Sequence, residues 1–333
     1  MNDFGNKLFL KTSMNRLMHK EDRATRKTYK FTIIILFCLI KQIDVQSQDS
    51  VKKILVVGNS VMFYNNMPAN LLSLLSETNN SYVLQDCSKG GSSLTRSLNT
   101  KYISSNKGFD VRDFNDSLKV ESSINDTLRK KWDWVILQEQ SSYILYKELY
   151  KHITINTVNG YKELIERDSP DCSVILFENY SPKKIGKKLI STIRRPVWLD
   201  SAEMVKVNDS LLTKLTDNYY SLECATDSLE TLSSVQQVYF NRTKNIARSN
   251  DFNFAPTGQI HFLLKSTYPS WKMYRIAGHP SRKASFMFAC VYYEMITKKD
   301  VTKTKFIGKI SNKKARIIKE MVHSYLLNNP VEY

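Results

Sequence analysis

The sequence predicts an α/β domain of three layers, with helices on both faces of a mainly parallel, five-stranded sheet. From residue 52 onward, five short apolar runs alternate with longer helical patterns. Fully apolar strands separated by helices are typical of parallel sheets that are covered on both faces. Polar residues and glycines directly follow several of these runs, and ligands bind beyond the carboxyl ends of such strands. The predicted arrangement is flavodoxin-like.

The predicted elements alternate regularly along the chain. The strands are expected at Ile54–Val57, Ser81–Leu84, Trp134–Leu137, Ser173–Phe177 and Phe252–Ala255. Helical patterns lie around Leu71–Leu75, up to about Arg167, from about Ala202 to Arg248, and at Phe286–Tyr293. No internal repeat or low-complexity linker interrupts this alternation, so the sequence predicts one catalytic domain over residues 48–333.

The first 47 residues predict export. A stretch with eight Lys and Arg residues precedes the ten-residue apolar run Phe31–Ile40. As a helix this run would span only about 15 Å, or half the apolar thickness of a bilayer. It therefore suits the core of a signal peptide, with cleavage before Gln48 and a secreted or periplasmic protein as the result. The alternative is an uncleaved N-terminal anchor, the one case in which we expect membrane contact.

The formal net charge of +17 leaves two explanations open. A surplus of that size suits nucleic acid or an acidic polysaccharide, or it reflects a Lys-rich solvated surface. The sequence has no RNP-like aromatic strand, zinc-finger spacing or Arg-rich arm, so we predict no nucleic-acid partner. The basic stretch Lys183–Arg195 leaves the same choice, between contact with an anionic substrate and a solvated loop or helix face.

Four clusters carry the candidate chemistry. Gly58–Ser60 ends the first strand and brings a hydroxyl to the mouth of the sheet, although a Ser there is also a common helix cap. Gly90–Gly91 follows the second strand and lets a backbone N–H approach a ligand, although an ordinary turn explains it equally. Gln138–Gln140 closes the third strand, where an amide can donate to a developing oxyanion. His279 lies on a loop before the last apolar helix.

Other chemistries lack their motifs. No G-x-G-x-x-G or Walker A sequence is present, which disfavours dinucleotide and nucleotide triphosphate binding. Four cysteines follow the leader, and none forms a C-x-x-C pair. Zinc and thioredoxin-type chemistry therefore have no support, and we predict neither a metal nor an organic cofactor.

Taken together and in order, the four clusters resemble the four blocks of the SGNH (GDSL-like) hydrolase superfamily. The resemblance is closest to a bacterial branch whose first block reads Gly-Asn-Ser, as Gly58–Ser60 does here. Leu137–Ser141 resembles its "LQEQS" block, and His279–Ser281 resembles its final "HPS". Ala255–Gly258 resembles the Ala-Pro-Val-Gly segment that precedes that final block. The resemblance covers roughly residues 52–297.

The resemblance implies a serine esterase. Ser60 would be the nucleophile and His279 the general base. The oxyanion hole would use the N–H groups of Ser60 and Gly91 and one side-chain amide, that of Gln140 or, as the second choice, that of Gln138. The expected reaction removes acetyl or other acyl groups, so the expected partner is a small-molecule or glycan ester.

Two positions depart from the family pattern. The Asp three residues before the His is replaced by Ile276, and the Thr two residues after the Ser is replaced by Met62. Loss of a triad carboxylate can cost about 10⁴ in turnover. One hypothesis is therefore an esterase whose imidazole is held by a main-chain carbonyl or a distant carboxylate. The others are a catalytically degenerate relative that binds glycan and a flavodoxin-like ligand binder without an esterase site.

Overall fold

The computed structural model describes residues 51–98, 109–113, 119–185, 193–197, 199, 207, 212–216, 219–224 and 229–330. The leader predicted for residues 1–47 lies outside these ranges, so the choice between signal peptide and anchor stays a prediction. Within the described ranges, no helix has both the length and the apolar character that crossing a bilayer requires.

The strands form two sheets. They are β1 Lys52–Val57, β2 Tyr82–Asp86, β3 Phe109–Asp113, β4 Lys119–Ser122, β5 Trp134–Leu137, β6 Ser173–Phe177, β7 Ile193–Val197, β8 Leu212–Thr216, β9 Tyr219–Cys224 and β10 Asn253–Ala255. The large sheet has the order β10-β6-β5-β1-β2-β3-β4, and the small one has the order β7-β9-β8. Neighbours from β10 to β2 pair in parallel, whereas β3 and β4 extend the edge as an antiparallel hairpin.

The helices cover both faces of the large sheet. They are α1 Ser60–Phe63, α2 Met67–Leu75, α3 Leu94–Leu98, α4 Ile124–Leu128, α5 Ser141–Leu145, α6 Lys147–Leu149, α7 Ile155–Asp168, α8 Leu232–Ser249, α9 Thr257–Thr267, α10 Arg282–Thr297 and α11 Asn312–Asn328. The predicted α/β/α class with a five-stranded, mainly parallel core is confirmed. Each of the five parallel strands lies within two residues of its predicted position.

The sequence of β1 shows why this architecture forms. Four consecutive apolar residues are fully buried, and their side chains alternate between the two faces. Ile54 and Val56 join a core with α2, α9, α10 and α11. Leu55 and Val57 join a second core with α3, α4, α7 and α8. Burial of each such side chain contributes roughly 1.5–3 kcal/mol, so a strand without a polar face requires helices on both sides.

The long helix predicted from Ala202 to Arg248 is wrong over its first part. Helix α8 begins only at Leu232, and β8 and β9 lie within the segment that was predicted to be helical. β8 contains two Thr residues and β9 contains two Tyr residues, types that are enriched in strands. β9 pairs with β8 on one side and with β7 on the other, and β7 occupies the end of the basic stretch Lys183–Arg195. That end is therefore a strand, rather than a solvated loop or helix face.

The loops that follow β1, β2 and β5 start next to one another. The backbone ladder continues past the strand ends, because Cys87 N–H donates to Val56 O and Gln138 N–H donates to Val57 O. Lys89 N–H donates to Gly58 O in the same way. Three of the predicted clusters are therefore held at one edge of the sheet.

Candidate active site

Ser60 is placed by a tight junction between β1 and α1. The Asn59 side chain caps the helix, since its Oδ1 accepts the N–H of Val61 at 3.1 Å. Ser60 is consequently the first residue of α1. Within the described residues, the N–H of Ser60 has no hydrogen-bond partner. The junction thus presents a hydroxyl and an unused N–H at the same residue.

Gly58 is required because Gln138 approaches it closely. A Cβ at this position would lie 2.9 Å from Gln138 Oε1 and 2.7 Å from Met62 Cγ. Gln138 Oε1 accepts the N–H of Asn59 at 2.9 Å, so the close approach fixes the strand-to-helix turn. Met62 is fully buried in the core. It occupies the position two residues after Ser60 at which the sequence pattern described above has Thr.

Ser60 and His279 meet although 219 residues separate them in sequence. Ser60 Oγ lies 2.9 Å from His279 Nε2, and His279 Nδ1 lies 3.2 Å from the main-chain oxygen of Ile276. A carbonyl oxygen only accepts, so Nδ1 carries the proton and Nε2 accepts the hydroxyl proton of Ser60. This tautomer is the one that a general base requires. A main-chain carbonyl thus orients the imidazole.

The region after Ser60 also holds the loop of His279. The ring of Tyr64 stacks on the imidazole, with 4.1 Å between centroids and 16° between planes. Asn65 Nδ2 donates to the main-chain oxygen of Pro280 at 2.7 Å. Ser285 Oγ, on α10, donates to Tyr64 O at 2.9 Å. Sequence analysis missed Tyr64, although an aromatic residue four positions after the serine is a usable signal.

Tyr180 supports the His279 loop from another side. Its hydroxyl donates to Gly278 O at 3.0 Å, and its ring stacks on His261 at 4.5 Å. Burial lowers the pKa of His261 to about 3, which keeps this imidazole neutral. His261 therefore acts as a packing residue behind the loop. The sequence offers no signal for the contact, because the three residues lie on different elements.

Two of the expected oxyanion donors line the cavity that contains Ser60. Gly91 has a φ of +68°, a conformation that favours glycine, and its N–H has no partner within the described residues. Gln140 is half-buried, and its side-chain amide makes no hydrogen bond to any described residue. Both line the same cavity as Ser60 and His279.

Gln138 is not brought to this cavity. Its N–H still pairs with β1, and its side chain is fully buried inside the sheet edge. The amide Nε2 donates to Asn179 Oδ1 at 3.2 Å and to the main-chain oxygen of Glu139, while Oε1 accepts from Asn59. Its side-chain amide is therefore used in holding the framework together.

Glu139 connects the start of α3 to the segment that follows β5. Its Oε1 accepts the N–H of Leu94 at 3.0 Å and that of Gln140 at 2.6 Å. Its Oε2 is buried and has no partner within the described part of the chain. Burial raises the pKa of the Glu139 carboxyl to about 8, against the two N–H bonds that lower it. Burial likewise raises the pKa of Glu178 to about 8.

These raised pKa values predict that the protein loses stability as the pH rises from about 5 to about 8. The unfolded carboxyls ionise near pH 4.5, whereas the folded ones stay protonated up to about pH 8. The free energy of unfolding should therefore fall as pH rises from about 5 to 8, by up to about 1.4 kcal/mol per pH unit for each group. Urea unfolding at pH 5, 6, 7 and 8 measures this slope. Glu139→Gln should reduce the slope and leave the Glu178 share, and an unchanged slope would contradict the assignment.

The cavity at this edge has a volume of about 400 Å³. It is lined by Asn59, Ser60, Val61, Gly91, Gln140, Ser141, Ser142, Leu145, Tyr146, Tyr180, Pro182, Arg195, Tyr239, Gly278 and His279. Sites of this size accept a small molecule or one end of a larger one. The predicted Ser60, His279, Gly91 and Gln140 line it together, while Arg195 reaches it from β7.

One group of described residues has the spacing of metal ligands. Glu294, Asp300 and His323 offer ligand atoms within 4.8 Å of one another. His323 Nδ1 lies 3.2 Å from Glu294 Oε1, a contact that joins α11 to α10. None of the three lines the cavity. The expectation of a reaction without metal or organic cofactor stays a prediction.

Comparison of the sequence with protein-family models and with curated proteins finds no match. Comparison of the structure finds a DUF4886 family protein from Bacteroides uniformis, with a TM-score of 0.62 and 16% identity, over 84% of this chain and 96% of that chain. A candidate SGNH hydrolase from Slackia heliotrinireducens has a TM-score of 0.46 and 15% identity, over 74% and 100%. Axe2, an acetylxylan esterase from Geobacillus stearothermophilus, has a TM-score of 0.42 and 13% identity, over 74% and 94%. At 16% identity, the first similarity is one of fold.

Proposed function

We propose that the protein is a serine ester hydrolase in which Ser60 is the nucleophile and His279 the general base. The observation that carries this proposal is the 2.9 Å contact between Ser60 Oγ and His279 Nε2, with Nδ1 held by a carbonyl. A nucleophile, a base and a group that orients the base form the minimal machinery of acyl transfer.

The reaction follows from this arrangement. Ser60 Oγ attacks the ester carbonyl while His279 Nε2 takes its proton, and the carbonyl oxygen becomes an oxyanion. The N–H groups of Ser60 and Gly91, with the amide of Gln140, stabilise that oxyanion. His279 then gives the proton to the departing alcohol, which leaves an acyl-enzyme. Water attacks the acyl carbon while His279 takes a proton from it, and His279 returns that proton to Ser60 Oγ as the carboxylic acid departs.

Because a main-chain carbonyl, that of Ile276, orients His279, we propose a low esterase activity. This carbonyl fixes the tautomer of His279, as a triad Asp does, but it is a dipole and not a full charge. The imidazolium that forms in the transition state is therefore stabilised less. We propose an esterase of low turnover that acts on acetyl or other short acyl esters of carbohydrates or related alcohols, for which the cavity of about 400 Å³ has room.

A fluorophosphonate probe tests the proposal, since it reacts with an activated serine. The full chain should be labelled at Ser60, as mapped by peptide mass spectrometry, and Ser60→Ala should abolish labelling. Ser142→Ala is the matched control, because this serine lines the same cavity and has no histidine partner in the described structure. Absence of labelling in a folded protein that retains glycan binding would instead support the degenerate, glycan-binding alternative.

Ile276→Asp should raise activity about tenfold. The Ile276 side chain is 89% exposed, so its replacement removes no core contact. It begins the 3₁₀ turn Ile276–Gly278, in which residues three apart lie on the same side, so a carboxylate can reach toward His279. The measurement is kcat/KM for 4-nitrophenyl acetate, with Ile276→Asn as an uncharged control. Equal activity of the Asp and Asn variants would contradict a role for charge at this position.

We also propose that the protein is exported, on the strength of its short apolar run and basic leader. N-terminal sequencing of secreted material should find a mature chain that begins near Gln48. Retention of Lys41 in the mature protein would argue for an anchor.

A further inference from the structure

The described lining of the cavity contains a single fixed charge. Among these described residues, Arg195 is the only Lys or Arg, and no Asp or Glu is present. Arg195 lies in β7, at the end of the basic stretch Lys183–Arg195. Burial raises the pKa values of Tyr180 and Tyr239, so these lining phenols stay neutral and supply no counter-charge. The formal charge of the described lining is therefore positive.

The Arg195 guanidinium is held in place, and no described carboxylate forms an ion pair with it. Its Nη2 donates to the hydroxyl of Tyr146 at 3.1 Å, and its carbon lies 5.2 Å from the centroid of the Tyr146 ring. Its Nε is buried and has no partner among the described residues. Tyr146 is itself 1% exposed, so the platform under the guanidinium is fixed. Most of the five N–H donors of this side chain have no acceptor among the described residues.

An arginine held in this way is suited to bind an anion such as a carboxylate. A half-buried cation without a counter-charge is costly, and an arriving anion removes that cost. A guanidinium that stacks on an aromatic ring keeps its orientation, and its planar donors fit the two oxygens of a carboxylate. A purely structural arginine in β7 would be expected to satisfy its donors within the protein.

We propose that Arg195 binds a carboxylate of the substrate, so that the ester cleaved at Ser60 is one that carries a negative charge. This inference rests on the proposed function. The carboxylate has two possible sources. It belongs either to the acyl group, as in a dicarboxylic half-ester, or to the alcohol, as in an acylated uronic acid.

Binding without catalysis tests the inference apart from the esterase activity. Ser60→Ala is titrated by calorimetry with D-glucuronate, succinate and neutral D-xylose. At least one carboxylate should bind more tightly than xylose, and adding Arg195→Gln should weaken that binding at least tenfold. Arg195→Lys, which keeps the charge without the planar fork, should recover part of it. Arg316→Gln, at an exposed position of α11, is the control and should change nothing. Equal binding with and without Arg195 would overturn the inference.

Kinetics then identify the source of the charge. The ratio of kcat/KM between mono-4-nitrophenyl succinate and 4-nitrophenyl acetate reports an acyl-side carboxylate. The same ratio between acetylated methyl glucuronide and acetylated methyl glucoside reports an alcohol-side carboxylate. One ratio should exceed unity and fall about tenfold in Arg195→Gln. Two ratios that Arg195→Gln leaves unchanged would overturn the inference, even if the protein is an active esterase. If no ester is hydrolysed, the proposed function fails, and the titration still decides whether Arg195 binds carboxylates.

Discussion

Replacement of Ser60 by Ala is expected to lower kcat/KM for 4-nitrophenyl acetate by at least about 10³-fold, and His279→Gln is expected to do nearly the same. The physical reason is the 2.9 Å contact between the two side chains. Without the hydroxyl there is no acyl acceptor, and without the imidazole the hydroxyl keeps its proton at neutral pH. Residues that act as such a unit lose most of their effect when either one is removed.

The double variant makes this expectation sharper. Ser60→Ala/His279→Gln should be about as inactive as either single variant, because the second change removes nothing that still functions. Effects that multiply, so that the double variant loses the product of both factors, would indicate that the two residues act independently. Far-ultraviolet circular dichroism and urea unfolding of each variant verify that the fold is kept. The residual rate over water measures what the Gly91 and Gln140 donors and substrate binding still contribute.

The fold was predictable because its central strands are apolar on both faces. β5 and β6 were placed at their observed residues, since runs such as Trp134–Leu137 are short, fully apolar and bounded by polar residues. The small sheet was not predicted, because its strands are not apolar on both faces. β8 and β9 mix Thr, Lys and Tyr, and such a sequence is compatible with a helix until its partner strand is known.

The placement of Ser60 and His279 was also predictable, because Ser60 follows β1 directly and His279 lies on the loop before the last apolar helix. The residues that support these two positions were not predictable. Tyr64, Tyr180 and Glu139 act through contacts between segments that lie far apart in the chain, and no local pattern encodes such pairs. The same holds for the ring of Tyr146 under Arg195, which turns one residue of a basic stretch into part of the cavity.

The local sequence does not distinguish the roles of the two glutamines in the third cluster. Gln138 and Gln140 are two residues apart, and the sequence alone leaves both as candidates for the oxyanion hole. The structure divides them by their hydrogen bonds. Gln138 uses its amide on Asn59, Asn179 and the main chain, whereas the amide of Gln140 lines the cavity without a partner in the described structure.

Substitution of each by Leu should therefore produce opposite results. Gln140→Leu should lower kcat by about 10²-fold with little change in stability, because it removes one oxyanion donor and no framework bond. Gln138→Leu should lower the free energy of unfolding by about 2–4 kcal/mol, because it leaves the N–H of Asn59 and Oδ1 of Asn179 buried with a partner lost. Steady-state kinetics and urea unfolding on both variants measure the two effects. A Gln140→Leu enzyme with unchanged kcat would remove this amide from the mechanism and leave the oxyanion to the N–H groups of Ser60 and Gly91.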